Sequence, residues 1–199
     1  MAIAVLLESK NATSQWIRPV SNLPDGRVSK QIRLIGGTEP ALLEIIEIPL
    51  AKTGPDFGFE NENLSILSGA WRRVGQVPPS YLLKYFGKEE DILHNNQRYV
   101  TVSFLQSLPV PQRHTLQMVK AVKFSVRTIA QRFKGGEKWE GSLVTTTGQR
   151  LTATITDPVF VRRLELGCRP PNPSLVTVSL SMPWRPSDWE VDSSCCGTT

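Results

Sequence analysis

The stretch AVKFSVRT, residues 121–128, decides the fold of the second half of the chain. Successive side chains of a β-strand point to opposite faces, so alternating apolar and polar residues predict a strand with one buried face. One face is expected to carry Val122, Phe124 and Val126, and the other Lys123, Ser125 and Arg127. The pattern therefore predicts a strand with an apolar face on a core and a basic face turned away from it.

Two further stretches alternate in the same way, RLTATIT at 150–156 and LVTVSLSMP at 175–183. The segment SLVTTTGQRLTATI, residues 142–155, places Gly148 between two such runs, and glycine is favoured in tight turns. It predicts a β-hairpin. The second half is thus expected to consist mainly of short strands.

The first half also has short apolar runs separated by polar turns, among them WIRPV and LLEIIEIPL. The apolar residues of LLEIIEIPL do not alternate strictly, so a strand and a helical turn both stay open. In PPSYLLKYFG the prolines at the start and the glycine at the end predict a short helix around residues 81–86. The polar HNNQR at 94–98 predicts a domain boundary near residue 95. The expected fold is mainly β, with two tandem small β-barrels at 1–95 and 96–199 and one or two short helices.

Composition excludes several classes of protein. The chain has 199 residues, of which 40% are hydrophobic and 21% charged, as in ordinary globular proteins. The apolar run at residues 1–7 is too short for a signal peptide, and no segment approaches 18 apolar residues. We expect a cytoplasmic protein with no membrane partner.

The cysteines and histidines do not predict a metal site. Cys195 and Cys196 are adjacent in the polar tail DSSCCGTT, and His94 and His114 have no carboxylate or thiol at metal-ligand spacing. We therefore expect no metal, no other cofactor and no catalytic residue.

The positive charge is concentrated in the second half. Residues 1–99 hold 11 Lys/Arg and 11 Asp/Glu, whereas residues 113–169 hold 11 basic and four acidic residues, a net charge of +7. Concentrated positive charge is typical of proteins that bind polyanions, although a solvated surface explains it too.

Between residues 120 and 150 the basic residues are interleaved with aromatic ones next to the pair Gly135-Gly136. This combination is typical of surfaces that contact phosphates and stack bases. For Trp139, covering the hydrophobic core is an equally good interpretation. The candidate nucleic-acid-binding residues are Lys120, Lys123, Arg127, Arg132, Lys134, Lys138, Trp139 and Arg150.

The heptapeptide QWIRPVS, residues 15–21, offers a second candidate site. Trp16 and Arg18 are two residues apart and would share a strand face, and Pro19 restricts the strand to an edge or an end. Arg18 could lie over an aromatic ring or pair with an acid such as Glu47, or both side chains could line a ligand groove. The neutral first half favours the structural interpretation, with Trp16 mostly buried.

Four stretches in order resemble a bacterial family of dual OB-fold (DuOB) domain proteins: WIRPVS, LLEIIEIPL, ENENLSI followed by WRRVG, and TATITDP followed by LVTVSLSMP. The basic loop RFKGGEKWEG departs from the family pattern. The resemblance implies two tandem OB-like barrels that handle nucleic acid in bacterial defence or mobile-element systems. It implies no catalytic residues.

Three classes of function follow. We expect a non-catalytic protein that binds nucleic acid, with single-stranded DNA or RNA preferred. The alternative is a protein-interaction subunit of a larger complex, such as a ribonucleoprotein, without a ligand of its own. A metal-dependent nuclease using Asp56, Glu60 and Glu62 is less favoured, because acids in a glycine-containing loop are expected to be solvated and Asp157-Pro158 is expected to form a turn.

Overall fold

The computed structural model of the protein describes residues 5–9, 12–85, 91–131, 135–184 and 195–197. The chain forms two compact units, Met1–Phe86 and Gly87–Thr199. Both consist mainly of short β-strands, so the predicted fold class is confirmed.

The first unit pairs its strands in two small sheets. β1 and β2 are antiparallel, β2 runs parallel to β4, and β3 and β5 are antiparallel. A 3₁₀ helix confirms the predicted short helix, although Phe86 lies outside the described residues. The elements are β1 (Val5–Ser9), β2 (Ala12–Val20), α1 (Lys30–Arg33), β3 (Glu44–Glu47), β4 (Asn63–Ser65), β5 (Arg72–Gln76) and the 3₁₀ helix Pro79–Lys84.

Two sequence expectations for this unit are resolved by local geometry. The run LLEIIEIPL is a strand at β3, and the pairing register with β5 shifts between Ile45 and Ile46. The irregularity explains why the apolar residues there do not alternate. Trp16 keeps only a minor part of its surface exposed, so the expectation that it is mostly buried is confirmed, and its neighbour Ile17 is fully buried.

The second unit is built around a four-stranded antiparallel sheet in the order β10-β7-β8-β9, and β11 pairs with β6 separately. The predicted hairpin around Gly148 is confirmed, because β8 and β9 pair on either side of it. The elements are β6 (Tyr99–Thr101), α2 (Val102–Ser107), the 3₁₀ helix Val110–Gln112, β7 (Leu116–Ala130), β8 (Glu137–Thr145), β9 (Arg150–Thr154), α3 (Pro158–Glu165), β10 (Ser174–Ser179) and β11 (Cys195–Gly197).

β7 contains a bulge that changes one predicted orientation. Ala121 pairs with Thr145 and Lys123 pairs with Val144, so Val122 is the extra residue. Val122 is exposed and not on the core face, which corrects the sequence prediction. From Lys123 onward the predicted alternation holds, with Phe124 buried and Lys123, Ser125 and Arg127 exposed.

A helix occupies the position where the sequence predicts a turn. The Asp157 carboxylate caps α3 by accepting from the backbone N–H groups of Val159 at 2.8 Å and Phe160 at 3.2 Å. Pro158 follows at the first helical position, where proline is favoured because its missing N–H is not needed. The turn prediction is therefore wrong, and the structure has more helical segments than the one or two expected.

The segment 91–95 packs with the second unit. Ile92 and Leu93 are buried, and the Leu93 N–H donates to the Gln117 side-chain oxygen of β7 at 2.7 Å. The compact units divide after residue 86 for this reason. The assignment of 1–95 and 96–199 to separate barrels stays a prediction.

Candidate functional site

The sheet β7-β8-β9 has two chemically different faces. Directly paired residues on neighbouring strands point to the same face, so the register assigns each side chain. Phe124, Leu143 and Leu151 lie in one row and are all buried. The Phe124 ring lies 6.2 Å from the Phe160 ring of α3, between ring centres, so this apolar face is covered by the helix.

Gly141 lets the Phe124 ring pack closely against β8. A Cβ atom added to Gly141 would lie 2.8 Å from Cε2 of Phe124, which is closer than carbon atoms approach in folded proteins. The glycine is thus part of the apolar face and keeps the three strands in close contact with the core.

The opposite face is polar in three successive rows. The first row contains Lys123 and Arg150 on either side of Val144, at the two outer strands. Neighbouring strands lie about 4.8 Å apart, so the Cα atoms of these two cations are about 10 Å apart. The second row contains only hydroxyl groups, Ser125, Ser142 and Thr152, and the third contains Arg127, Glu140 and Thr154.

The third row is organised by a buried carboxylate. Oε2 of Glu140 accepts from Nη2 of Arg127 at 2.7 Å and from Nε at 3.0 Å. Its Oε1 lies 3.1 Å from Nη2 of Arg98, which comes from the segment before β6. The Glu140 side chain is 2% exposed, whereas Arg127 and Arg98 keep 69% and 51% of their side-chain surface exposed. The anion is therefore covered and the cations remain accessible.

Lys138 extends the same cluster. It lies two residues before Glu140 on β8 and so shares its face, and its Nζ donates to the Thr154 hydroxyl at 3.4 Å. We call Arg98, Lys123, Arg127, Lys138 and Arg150 the cationic face. With Glu140 included, these residues carry a net charge of +4.

The structure brings together four of the eight predicted binding residues, Lys123, Arg127, Lys138 and Arg150. Lys120 is half-buried and lies before the bulge, opposite Leu175 of β10. Arg132 and Lys134 lie outside the described residues.

Trp139 is separated from the other predicted site residues. It pairs with Thr128 and alternates with Glu140, so it lies on the face that carries Phe124. The ring is half-buried, and the guanidinium carbon of Arg169 lies 5.8 Å from its centre. Its role in stacking bases stays a prediction that this geometry does not support.

Residues 7–195 match the family model of the dual OB-containing domain. This chain belongs to that family. No curated protein and no solved structure is significantly similar to it. The match confirms the family resemblance that the four sequence stretches indicate. It is consistent with the small β-sheets of both units.

Two residues of the site in this dual OB-containing domain protein were missed by sequence reasoning, Arg98 and Glu140. Glu140 is three residues before the apolar Leu143, so alternation along β8 could have placed it on the polar face. For Arg98 there was no signal, because its segment is irregular and its partner is 42 positions away in the sequence.

The first unit of the dual OB-containing domain holds a different ion pair, between Arg18 of β2 and Glu60. Nη1 of Arg18 lies 2.7 Å from Oε1 of Glu60, and the Asn63 amide donates to Oε2 of Glu60 at 2.6 Å. All three residues are buried. The structural interpretation of the WIRPVS motif is thus supported, but the partner is Glu60 and not Glu47, which pairs with Arg72.

Two of the three loop acids are therefore not solvated as expected. Glu60 and Glu62 are buried, and Asp56 is exposed. Burial raises the pKa of Glu60 above its ordinary value of 4.5, against the opposing effects of the Arg18 charge and the Asn63 hydrogen bond. Across the described part of the chain, no three His, Cys, Asp or Glu residues are grouped so that they could hold a metal ion.

Within the described ranges, no helix is long and apolar enough to cross a membrane.

Proposed function

We propose that this protein binds nucleic acid, single-stranded DNA or RNA in preference to duplex, through the cationic face of its second unit. The observation that carries the proposal is the placement of four cations on one polar sheet face, with Arg98 beside them on the covered carboxylate of Glu140. OB-folds present a sheet face and adjoining loops to oligonucleotides, and family membership adds weight to this mode of binding.

The chemistry of the face suits phosphate groups. Lysine and arginine supply charge-assisted hydrogen bonds to phosphate oxygens, and the hydroxyl row between them adds neutral donors. Ser142 and Thr152 are joined by a 2.8 Å hydrogen bond between their hydroxyl oxygens, so this row is held in place. A single strand lying across the sheet would meet cations, then hydroxyls, then cations again.

The proposed binding is non-catalytic. Among the described residues, the acid on the cationic face is Glu140, and both of its oxygens are engaged by arginine; Glu60 in the first unit is engaged by Arg18 and Asn63. Carboxylates occupied in this way are poor candidates for activating a water. The setting we propose, a bacterial defence or mobile-element system, rests on the family resemblance.

The proposal is tested by measuring the affinity of the full chain for labelled single-stranded DNA and RNA, and for a duplex, over a salt series. If the cationic face neutralises about four phosphates, a plot of the logarithm of affinity against the logarithm of salt concentration should have a slope of about −3. Each phosphate contact on a single strand contributes roughly −0.7 to this slope. The double variant Lys123→Gln/Arg150→Gln should reduce the slope to about half. Both residues are exposed, so the free energy of unfolding should stay unchanged.

The matched control is Lys30→Gln/Lys52→Gln, which removes the same charge from exposed positions of the first unit. It should change the salt slope little. Failure of the wild-type chain to bind any single strand at about 50 mM salt would reject the proposal, since electrostatic binding is strongest at low salt.

The competing function is that of a protein-interaction subunit. It is favoured by one observation, the exposure of Val159 and Leu166 at either end of α3. Under this alternative the isolated chain shows no salt-dependent binding, and it co-purifies with a partner that Val159→Ser/Leu166→Ser releases.

A further inference from the structure

The arginine pair above Glu140 has more hydrogen-bonding capacity than the carboxylate uses. A guanidinium has five N–H donors in a fixed plane. Glu140 accepts from Nε and Nη2 of Arg127 and contacts Nη2 of Arg98. Both guanidiniums therefore retain donors beyond those directed at Glu140.

The carboxylate also restricts the motion of both side chains. A long arginine side chain loses considerable rotamer freedom when it is fixed, and this loss opposes binding if it occurs at the moment of binding. Here the loss has occurred in the folded protein, because one covered anion contacts both guanidiniums. A ligand oxyanion would meet two pre-oriented cations.

We infer that Glu140 is a positioning residue, which holds Arg98 and Arg127 together as a phosphate-binding pair, and that Arg98 is a further binding residue. The ligand group is a phosphodiester of the nucleic-acid backbone, so the inference rests on the proposed function. The pair would contact the backbone without reading the bases, since the three rows of the face contain no aromatic side chain among the described residues.

Replacement of Glu140 by glutamine separates this role from simple electrostatics. Removing a negative charge from a polyanion-binding face should tighten binding if only net charge matters. If Glu140 positions the arginines, the same replacement should weaken binding, because the neutral amide holds them less firmly and adds N–H groups that repel them. The two explanations thus predict opposite signs for one variant.

The experiment measures the affinity of the full chain for a labelled oligothymidylate over a salt series. Glu140→Gln should weaken binding about tenfold, the effect expected for loss of one charge-assisted contact. The matched control is Glu137→Gln on the same strand, which removes the same charge from an exposed position on the other face. It should bind as tightly as the wild type or slightly more tightly.

Arg98→Lys provides a second variant that does not disturb the core, since the Arg98 side chain is half exposed. Lysine keeps the charge but loses the planar fork, so binding should weaken several-fold at unchanged net charge. Thermal melting checks that each variant is folded. If the wild type binds but Glu140→Gln and Arg98→Lys bind as tightly, the inference is wrong and the proposed function stands. If the wild type does not bind, both are wrong.

Discussion

Each unit covers a glutamate with arginine, but the arginine lies in a different environment in the two units. In the first, Arg18 is as buried as Glu60, with side-chain exposures of 8% and 4%. In the second, Glu140 is buried while Arg98 and Arg127 remain largely accessible. An arginine–glutamate pair can therefore link two segments of a fold, or it can present cations to a ligand. The exposure of the arginine distinguishes the two roles.

The largest expected effect concerns the stabilising role of the buried Arg18–Glu60 pair in the first unit. Arg18→Met removes the charge that compensates Glu60 while keeping a long apolar stem. Because it leaves a buried carboxylate without its cation, it should reduce the free energy of unfolding by about 3–5 kcal/mol, measured by urea denaturation.

The matched control is Arg72→Met, which breaks the Arg72–Glu47 pair. Those side chains are mostly exposed and their nitrogen and oxygen atoms are 3.1 Å apart. The cost there should stay below about 1 kcal/mol, as for other surface pairs. Equal costs for the two variants would show that the burial of Arg18 contributes nothing.

A smaller effect concerns the pH dependence of the first unit. The pKa of Glu60 is raised above 4.5 in the folded chain, so between 4.5 and that raised value the folded chain binds more protons than the unfolded chain. The contribution of Glu60 to stability should therefore be present below pH 4.5 and be lost as pH rises through the raised pKa. Glu60→Gln should remove this component, so the melting temperature of the wild type should fall relative to that of the variant as pH rises through the raised pKa. A constant difference would contradict the burial argument.

The smallest expected effect sharpens the distinction between the two faces of the second unit. Trp139→Ala should leave the affinity for single strands within about twofold of the wild type, whereas a ring that stacks on a base would cost about 1–3 kcal/mol of binding. The reason is that Trp139 lies on the apolar side of the sheet. Fluorescence anisotropy measures the affinity, and a large loss in a variant that remains folded would place the ligand on both faces.

The strands of the second unit could be predicted because alternation is a local property of the chain. Phe124, Ser125 and Arg127 lie on the faces that the pattern assigns to them, and the turn at Gly148 lies between two clearly alternating runs. Helix α3 differs from the sequence prediction, which gives a turn at Asp157-Pro158. Asp and Pro are favourable both in a turn and at the start of a helix, so the local sequence does not distinguish the two structures. The packing of Phe160 on Phe124 is a tertiary contact that favours the helix.

The ion pairs could not be predicted because their partners meet only through tertiary structure. Arg18 and Glu60 are brought together by the parallel pairing of β2 with β4, whose members are more than 40 residues apart. Arg98 reaches Glu140 from an irregular segment. The basic composition of residues 113–169 predicts a cationic surface in this unit, but composition alone does not show that Glu140 contacts two of its arginines.

The bulge at Val122 has a consequence for length variation in this strand. In a regular strand, residues three positions apart point to opposite faces. Ala121 and Phe124 nevertheless share the core face, because Val122 is the extra residue of the bulge. A chain lacking Val122 would read Ala-Lys-Phe-Ser-Val-Arg, a regular alternation that keeps every remaining side chain on its present side. Loss of that one residue would alter the curvature of the sheet and leave the distribution of charge intact. Relatives one residue shorter at this point can therefore be aligned without reassigning either face.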